Sequence, residues 1–328
     1  MAYDDLLKIR TWSLDGTKTD NITELVETKT WSGSYTDCAR RLTYTVLPEA
    51  LGEIGSSLKM YHDADLLFSG SIFARKRSSL GHTISITAYD RGIYLKRNET
   101  YLKVRKQTPE AVAAQLCHEF GIPFSSFVKT GVPLSRNFLG QTLYQVIQTM
   151  YTLAAQQTGK KYQMRFRGDK LEVVEKQQTE ETIRLIPGSN LISCDSQDSI
   201  ENLVTSVAVY NKDSKRVSTY DAADGLRELY GLMQQAMKAS DKEDPEKTAR
   251  QILEDNGVKT TINAKCIGNT KLISGNAVVV HEPVTGADGL FWILSDTHEV
   301  TRGIYRTSVT LDFRNLMDKQ SAGSVPTK

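Results

Sequence analysis

Apolar and polar residues alternate with a period of two over the first hundred residues. Leu42, Tyr44 and Val46 are separated by polar residues, which is the pattern of a strand with one buried face. A longer strand begins at residues 66–72, and a turn around Ser78-Ser79-Leu80-Gly81 leads back into a strand at 84–88. Short strands separated by turns, without a helical period, predict a small antiparallel barrel or sandwich.

The period changes to 3.6 residues after Thr108. Thr108 is a good N-cap and Pro109 suits the first helical position, and Val112, Leu116 and Phe120 then fall on one face. A second apolar stripe between residues 143 and 154 predicts another helix, and two alternating segments after it predict a hairpin. This part of the chain is therefore expected to form a compact α-α-β-β domain.

Strand patterns return near residue 191 and continue to residue 313, with one interruption. Residues 221–257 are rich in charged residues and Gln, and Asp244-Pro245-Glu246 is a typical helix start. The helical stripe predicted there is thin, and consists of Leu226, Leu229, Leu232 and Met233, followed by Ala249, Ile252 and Leu253. A thin stripe buries little surface, so these residues predict a helical insertion that adds little to a core.

Two long segments of the chain resemble each other in pattern. Residues 67–91 and 290–314 each predict a long strand, a turn around a glycine (Gly81 and Gly303) and a returning strand that ends in Asp, aromatic and Arg residues. The likeness fits an internal duplication, and it also fits two unrelated hairpins of similar length. Both explanations stay open from sequence alone.

Composition places the chain among ordinary globular proteins. The net charge is +2 from 41 Lys+Arg and 39 Asp+Glu, and charged residues make up 24%, which argues against disorder and against a dedicated nucleic-acid coat. The longest apolar run, residues 290–294, is too short for a membrane helix. The acidic start at residues 1–5 predicts no secretory signal. Four widely spaced cysteines predict isolated thiols in a reducing cytoplasm.

Motifs for catalysis are weak throughout. The His-Glu dipeptides at 118, 281 and 298 lack a second His four residues later, which a zinc-protease helix requires. Cys117 and His118 are helical neighbours that point about 100° apart, so Cys117 is expected to be a small core residue. Glu180-Glu181 offers a carboxylate pair for a glycosidase, but it lies in a polar connection. The sequence predicts no catalytic residues, no metal site and no cofactor.

Two groups of residues are candidates for docking a partner. Arg75, Lys76 and Arg77 end a predicted strand, and they either form a solvated strand end or contact an acidic partner or passing nucleic acid. Met233 and Met237 in the insertion offer adaptable apolar contacts to a neighbouring protein. The alternative is that the insertion is a solvent-exposed segment that binds no partner.

Several strings resemble one known family. They are Thr30-Trp31-Ser32-Gly33, Ile84-Ser85-Ile86-Thr87-Ala88-Tyr89-Asp90, Ile200-Glu201-Asn202-Leu203-Val204-Thr205-Ser206-Val207, and Gly289-Leu290-Phe291-Trp292-Ile293 with Asp296 and His298. Together they resemble the XkdQ-like hub proteins of contractile phage tails and phage-tail-like bacteriocins, which belong to the late-control-gene-D-type hub class. The resemblance runs from about residue 25 to 313. Its motifs are structural strings and carry no chemistry.

The resemblance implies a non-enzymatic homotrimer at the tip of a tail. Each chain would supply two tube-like β-barrels, so that three chains form a six-barrel ring between the hexameric tail tube and the trimeric spike. Implied partners are the tail tube protein, the spike protein and other baseplate proteins, with nucleic acid only as passing cargo and no membrane insertion. The protein would be made in the bacterial cytoplasm and assembled into the baseplate of a phage or a headless bacteriocin particle.

The expected fold class is a mixed, β-rich α+β protein with two antiparallel β-barrel domains. The domains expected are a first barrel at 1–98, an α/β middle domain at 99–188, a second barrel at 189–220 and 258–316, a helical insertion at 221–257 and a flexible tail at 317–328. Two other functions stay open: a tail-associated cell-wall hydrolase, and a glycan-binding module that uses Trp12, Trp31 or Trp292. Trp31 is expected to be structural.

Overall fold

The computed structural model describes residues 7–48, 50, 52–79, 82–177, 182–223, 225–239 and 244–326. The chain divides into two compact units, a larger one of residues 1–195 with 263–328 and a smaller one of residues 196–262. The protein is mostly β, with one large, curled, largely antiparallel sheet. The β-rich fold class expected from the alternating patterns is therefore confirmed.

Thirteen strands of the described residues form the large sheet. They are β1 (Lys8–Trp12), β2 (Thr19–Asn21), β3 (Val26–Ser34), β4 (Arg41–Val46), β5 (Ser57–His62), β6 (Asp65–Arg77), β7 (Ile84–Asp90), β13 (Ile183–Leu185), β14 (Leu191–Ser199), β18 (Lys259–Ile267), β19 (Ala277–Glu282), β20 (Ala287–Thr301) and β21 (Ile304–Asp312). The predicted turn at Gly81 lies outside the described residues, whereas Gly303, with φ +72°, forms the turn between β20 and β21.

The middle segment of the chain contains both predicted helices and the predicted hairpin. Its elements are α1 (Gly92–Arg97), β8 (Glu99–Gln107), α2 (Pro109–Glu119), β9 (Phe124–Phe127), β10 (Leu134–Thr142), α3 (Leu143–Thr158), β11 (Tyr162–Arg167) and β12 (Lys170–Glu175). Helix α3 begins with a capping box between Thr142 and Gln145, and it ends at Gly159 in the left-handed region. Its apolar face is buried in a core that it shares with α2, β11 and β12.

The smaller unit has a three-stranded sheet and two helices. Its elements are β15 (Ser206–Tyr210), β16 (Arg216–Asp221), α4 (Leu226–Tyr230), β17 (Gln234–Lys238) and α5 (Pro245–Asp255), with strand order β16-β15-β17. Helix α5 is confirmed, and its cap Asp244 accepts a hydrogen bond from Glu246 N. The longer helix predicted over residues 226–233 is wrong, because Gly231 at φ +87° ends α4 and residues 234–238 pair in parallel with β15.

The boundary of the smaller unit lies upstream of the predicted insertion. Strand β15 pairs with β16 and β17 and not with the large sheet, so the unit begins near residue 196 and not at residue 221. Val207 and Val209 of β15 form a small apolar core with Ala249 and Leu253 of α5. The apolar stripe of α5 is therefore used to cover β15.

The end of the chain packs against the middle segment and does not form the expected free tail. Met317 is buried in the core around α3. Asn137 and Ser324 exchange two backbone hydrogen bonds of 2.8 Å, and Gln148 Nε2 donates to Asp318 O at 2.7 Å. In the segment after β21, the side chain of Met317 and several backbone groups contact β10 and α3. The local sequence pattern does not predict this contact.

The large sheet contains the same strand order twice. The order β3-β4-β7-β6-β5 in the first half of the sheet recurs as β14-β18-β21-β20-β19 in the second half. In the larger unit, β14 and β18 contribute residues 191–195 and 263–267. The long strand of each hairpin has a register shift at the same place, between Ile72 and Ala74 on β6 and between Ile293 and Ser295 on β20.

The backbone contacts of the two long strands are equivalent as well. Gly55 N donates to Ile72 O at 2.8 Å, and Ile72 N donates to Ser56 O at 2.9 Å. Gly275 N donates to Ile293 O at 2.7 Å, and Ile293 N donates to Asn276 O at 3.0 Å. Both glycines adopt positive φ, +92° and +89°, a conformation that favours glycine. This agreement in order, bulge and turn favours duplication over chance likeness of two hairpins.

Candidate functional site

The residues considered for catalysis do not converge on one place. His118 lies at the end of α2, His281 lies exposed on β19 with Nδ1 2.8 Å from Asp288, and His298 is buried on β20. No group of three or more His, Cys, Asp and Glu side chains that could hold a metal occurs among the described residues. Glu180-Glu181 and the acidic N-terminus lie outside those residues.

Cys117 is a core residue, as predicted. Its side chain is buried against α2 and α3, and burial raises the pKa of its thiol to about 12. The thiol is therefore protonated at neutral pH and is a poor nucleophile.

No helix in the described part of the chain is long and apolar enough to cross a membrane.

The two halves of the repeated sheet meet where β3 pairs with β20. This antiparallel contact, called the junction below, runs from Thr28 opposite Thr301 to Ser34 opposite Ser295. Within it, Trp31 lies opposite His298 and Gly33 lies opposite Asp296. Strand β3 also pairs with β4 on its other side, so it links the first half of the sheet directly to the second.

A buried ion pair holds the junction together. Arg40 and Asp296 form a two-pronged contact in which Nη1 lies 3.1 Å from Oδ1, and their side chains are 10% and 0% exposed. The guanidinium also stacks on Trp31, 4.1 Å from the ring centroid. Gly33 leaves the space that this arrangement needs, because a Cβ there would lie 2.4 Å from Arg40 Nη1.

The charges of the junction are set by burial and by each other. Burial alone would raise the pKa of Asp296, but Arg40 and the neighbouring His298 hold it well below its ordinary value. Burial lowers the pKa of His298 and outweighs the opposing carboxylate of Asp296, so the ring is neutral at pH 7. Its Nδ1 lies 2.8 Å from Tyr305 Oη. Around Trp31 the junction therefore contains one ion pair and one neutral imidazole, and the buried Lys29 beside them donates from Nζ to Leu7 O.

Trp31 is structural, as predicted. It is 1% exposed and its ring lies 4.7 Å from that of His298, so it offers no platform to a sugar. Trp292 is also buried, beneath Lys176 Nζ at 5.2 Å. The first half of the sheet buries Trp31 in one core with Val300 and Tyr305 from the second hairpin.

The predicted basic cluster lies on an open strand edge. Arg75, Lys76 and Arg77 form the end of β6, and β7 pairs with them on one side only. On the other side β5 and the segment before it reach only as far as Ile72. Lys76 and Arg77 are exposed, and Arg75 is half-buried.

The predicted methionines lie elsewhere, in the smaller unit. Met237 on β17 packs against the core of that unit, and Met233 N donates to Thr205 Oγ1 at 2.8 Å. Near the methionines, Leu229 (69%) and Leu232 (57%) are exposed, and Ile200, Val217, Tyr230 and Val258 are exposed elsewhere in the smaller unit. The structure therefore separates the basic cluster and the methionines into different units, and it offers the two leucines as the apolar surface beside the methionines.

Sequence reasoning missed the junction pair. Arg40 and Asp296 are 256 residues apart in the chain, and each looks like a surface charge. The available signal is the alternation along β20, which puts Asp296 and His298 at positions with the phase of buried residues. A polar side chain at such a position indicates a buried partner.

The fold is that of phage tail proteins. A crystal structure of the 43 kDa tail protein of prophage MuSo2 from Shewanella oneidensis matches with a TM-score of 0.71 at 13% identity, covering 93% of this chain and 98% of that one. The Escherichia coli protein c3393, described as a type VI secretion component similar to T4 tail proteins gp27 and gp5, matches with a TM-score of 0.55 at 13% identity, covering 92% and 77%.

The chain belongs to the YQBQ-like family, which matches residues 29–312. It is homologous to the phage-like element PBSX protein XkdQ of Bacillus subtilis, with 25% identity over 260 residues that cover 76% of this chain and 79% of the relative. The resemblance to XkdQ-like proteins is thereby confirmed. Because identity to the solved tail proteins is low, those structures establish the fold alone.

Proposed function

We propose that this chain is a structural baseplate hub of a contractile tail. Three copies would form a ring with pseudo-six-fold symmetry that joins the hexameric tail tube to the trimeric spike. The observation that carries this proposal is the repeated strand order of the large sheet, with its equivalent bulges and glycine turns. The homology to a phage-like element protein supports a structural role in a tail.

The repeat within one chain would allow a ring of three chains to match a six-fold partner. A chain with two equivalent sheet halves presents two similar surfaces, so three such chains present six. A hexameric tube contacts six equivalent surfaces, whereas a trimeric spike contacts three. Each half would correspond to one tube-like barrel, and the remaining parts of the chain would distinguish the two halves for the spike.

The junction supports a rigid role for the chain in this assembly. Arg40, Asp296 and Trp31 are buried together between the halves, and a buried, hydrogen-bonded ion pair favours one fixed arrangement of the groups around it. The two halves would then act as one rigid part of the ring. In the particle, the chain would be assembled into the baseplate of a phage or of a headless bacteriocin.

Native mass spectrometry of the chain co-expressed with its own tail tube and spike proteins tests this proposal. The expected complex contains three copies of this chain, or a multiple of three. A stable complex with one or two copies would overturn the ring. The rival function of cell-wall hydrolase is tested on the same sample, because a clearing zone in a peptidoglycan zymogram would contradict a purely structural role.

A further inference from the structure

The junction has no counterpart in the first half of the sheet. On β20, the edge that follows Ile293 is covered by β3. On β6, the equivalent edge follows Ile72 and comprises residues 73–77, and no strand of the described residues covers it. An uncovered edge presents unpaired N–H and C=O groups to any strand that can approach.

A matching strand is also open, at the end of the sheet order. Strand β14 occupies in the second half the place that β3 occupies in the first. Within the described residues β18 is the one strand that pairs with it, and an isolated bridge joins Leu191 to Pro187. None of its residues is fully buried, and Ile192 is 53% exposed. Strand β3 is the strand that closes the junction, and β14 is its equivalent, with an outer edge that no other strand of the described residues covers.

We propose that β14 of one chain pairs in antiparallel fashion with residues 73–77 of β6 in a second copy of this chain. The contact repeats between copies the pairing that β3 makes with β20 inside each copy, and it rests on the ring of the proposed function. Each chain carries one donor strand and one acceptor edge, so the contact is head-to-tail. Head-to-tail contacts close into rings when the rotation between copies permits it.

Charge complementarity favours this occupant. The acceptor edge carries Arg75, Lys76 and Arg77, and the donor strand carries Asp195 and Asp198. Within the described residues none of the three cations takes part in an ion pair, and Arg75 Nε is buried without a hydrogen-bond partner. Asp195 and Asp198 are three positions apart and so lie on opposite faces of β14, and Asp198 also accepts from Thr260 Oγ1 at 2.6 Å. One carboxylate is therefore available to the face of Arg75 and Arg77, and the other to the face of Lys76.

The junction inside the chain shows the same chemistry with the signs exchanged. Arg75 follows the register shift of β6 at the same distance as Asp296 follows that of β20, so the two residues are equivalent. Asp296 on the long strand pairs with Arg40, which comes from the other half of the sheet. Between copies, Arg75 on the long strand would meet a carboxylate from β14.

Charge reversal on each edge, made in the full chain and assembled with tube and spike proteins, tests the pairing. Arg75→Glu with Arg77→Glu, or Asp195→Lys with Asp198→Lys, should each lower the trimer population at least tenfold in native mass spectrometry. All four substitutions in one chain should restore the trimer. Lys103→Glu with Arg105→Glu is the matched control, because it reverses two exposed cations on strand β8, away from both edges.

The outcomes separate the pairing from the ring. If the unmodified chain gives no trimer, both fail. If it gives a trimer that both charge reversals leave intact, the ring stands and the strand pairing is wrong. Circular dichroism of each variant checks folding, and should a reversal prevent folding, Lys76→Cys with Ser196→Cys replaces it. Oxidation of that variant should give covalent trimers on a non-reducing gel, and monomers alone would overturn the pairing.

Discussion

Replacing Asp296 with Asn tests how much the junction contributes to stability. The substitution keeps the shape of the side chain and an acceptor for Ser274 N, which donates to Oδ1 at 2.6 Å, but it removes the charge. The guanidinium of Arg40, 10% exposed at its side chain, is then left buried without a counter-ion. Breaking a buried pair from one side costs about 3–5 kcal/mol, so we expect the free energy of unfolding to fall by that amount.

Urea unfolding followed by tryptophan fluorescence measures this change. Trp12, Trp31 and Trp292 are the tryptophans of the chain and lie in the larger unit, so the signal follows that unit alone. With an m-value of about 3 kcal/mol/M, the expected loss moves the midpoint down by about 1–1.7 M. Asp63→Asn is the control, because Asp63 is 84% exposed and a surface change is worth under about 0.5 kcal/mol.

A double substitution separates the charge from the packing. Arg40→Met alone leaves the carboxylate of Asp296 buried without its partner, whereas Arg40→Met with Asp296→Asn leaves no buried charge. The double variant should therefore lose at least about 1 kcal/mol less than the two single losses added together. If Asp296→Asn lies within about 1 kcal/mol of the unmodified protein, or if the two losses simply add, the reasoning about the buried pair is wrong.

Three further changes test other parts of the structure. Trp31→Ala should cost about 3–5 kcal/mol of stability in the same urea assay, and unchanged stability would contradict its core position. Because the pKa of His298 is lowered, its contribution to the free energy of unfolding is constant above about pH 6.5 and falls as the pH drops below that value, and His298→Gln should remove this part of the pH dependence. Gly275→Ala should destabilise the larger unit, because its Cβ would collide with Gln163, and Gly286→Ala, at similar φ without such a neighbour, should cost less.

The smaller unit yields one more prediction. Leu229→Ser with Leu232→Ser changes two exposed side chains and should leave the melting temperature within about 2 °C, while it lowers incorporation into tails if this surface docks a neighbouring baseplate protein. Met237→Ser, which opens the core beneath β17, is the contrast that should lower the melting temperature. Normal incorporation of the leucine variant would contradict docking there.

Local patterns predicted what is held by local contacts. The helix of Thr108 and Pro109 and the helix that begins at Asp244 carry their signals within about a dozen residues, and the hairpin of β20 and β21 within about 26. Strand β17 was not predicted, because its apolar spacing also fits a helix and its partner β15 lies about 28 residues earlier. Periodicity cannot report a partner that far away, since it measures only which face of a segment is buried.

The candidate sites, too, are predictable from sequence only where they depend on neighbouring residues. The basic end of β6 is visible in the sequence as three adjacent cations. That the edge beside it is open depends on which strands reach past Ile72, and this follows from the length of β5 and from the pairing of distant segments. The junction depends on contacts between residues more than 250 positions apart, for which a single sequence carries no direct signal.

The pairing of β3 with β20 also has a consequence for the nascent chain. Arg40 leaves the ribosome 256 residues before Asp296, and at about 5–20 residues per second this interval lasts roughly 13–50 s. Throughout that time Trp31 and the edge of β3 await the last hairpin, although the rest of the first core is already synthesised. Folding of the larger unit therefore waits for β20, β21 and the segment with Met317 that follows them. Premature encounters between unfinished chains have tens of seconds in which to occur.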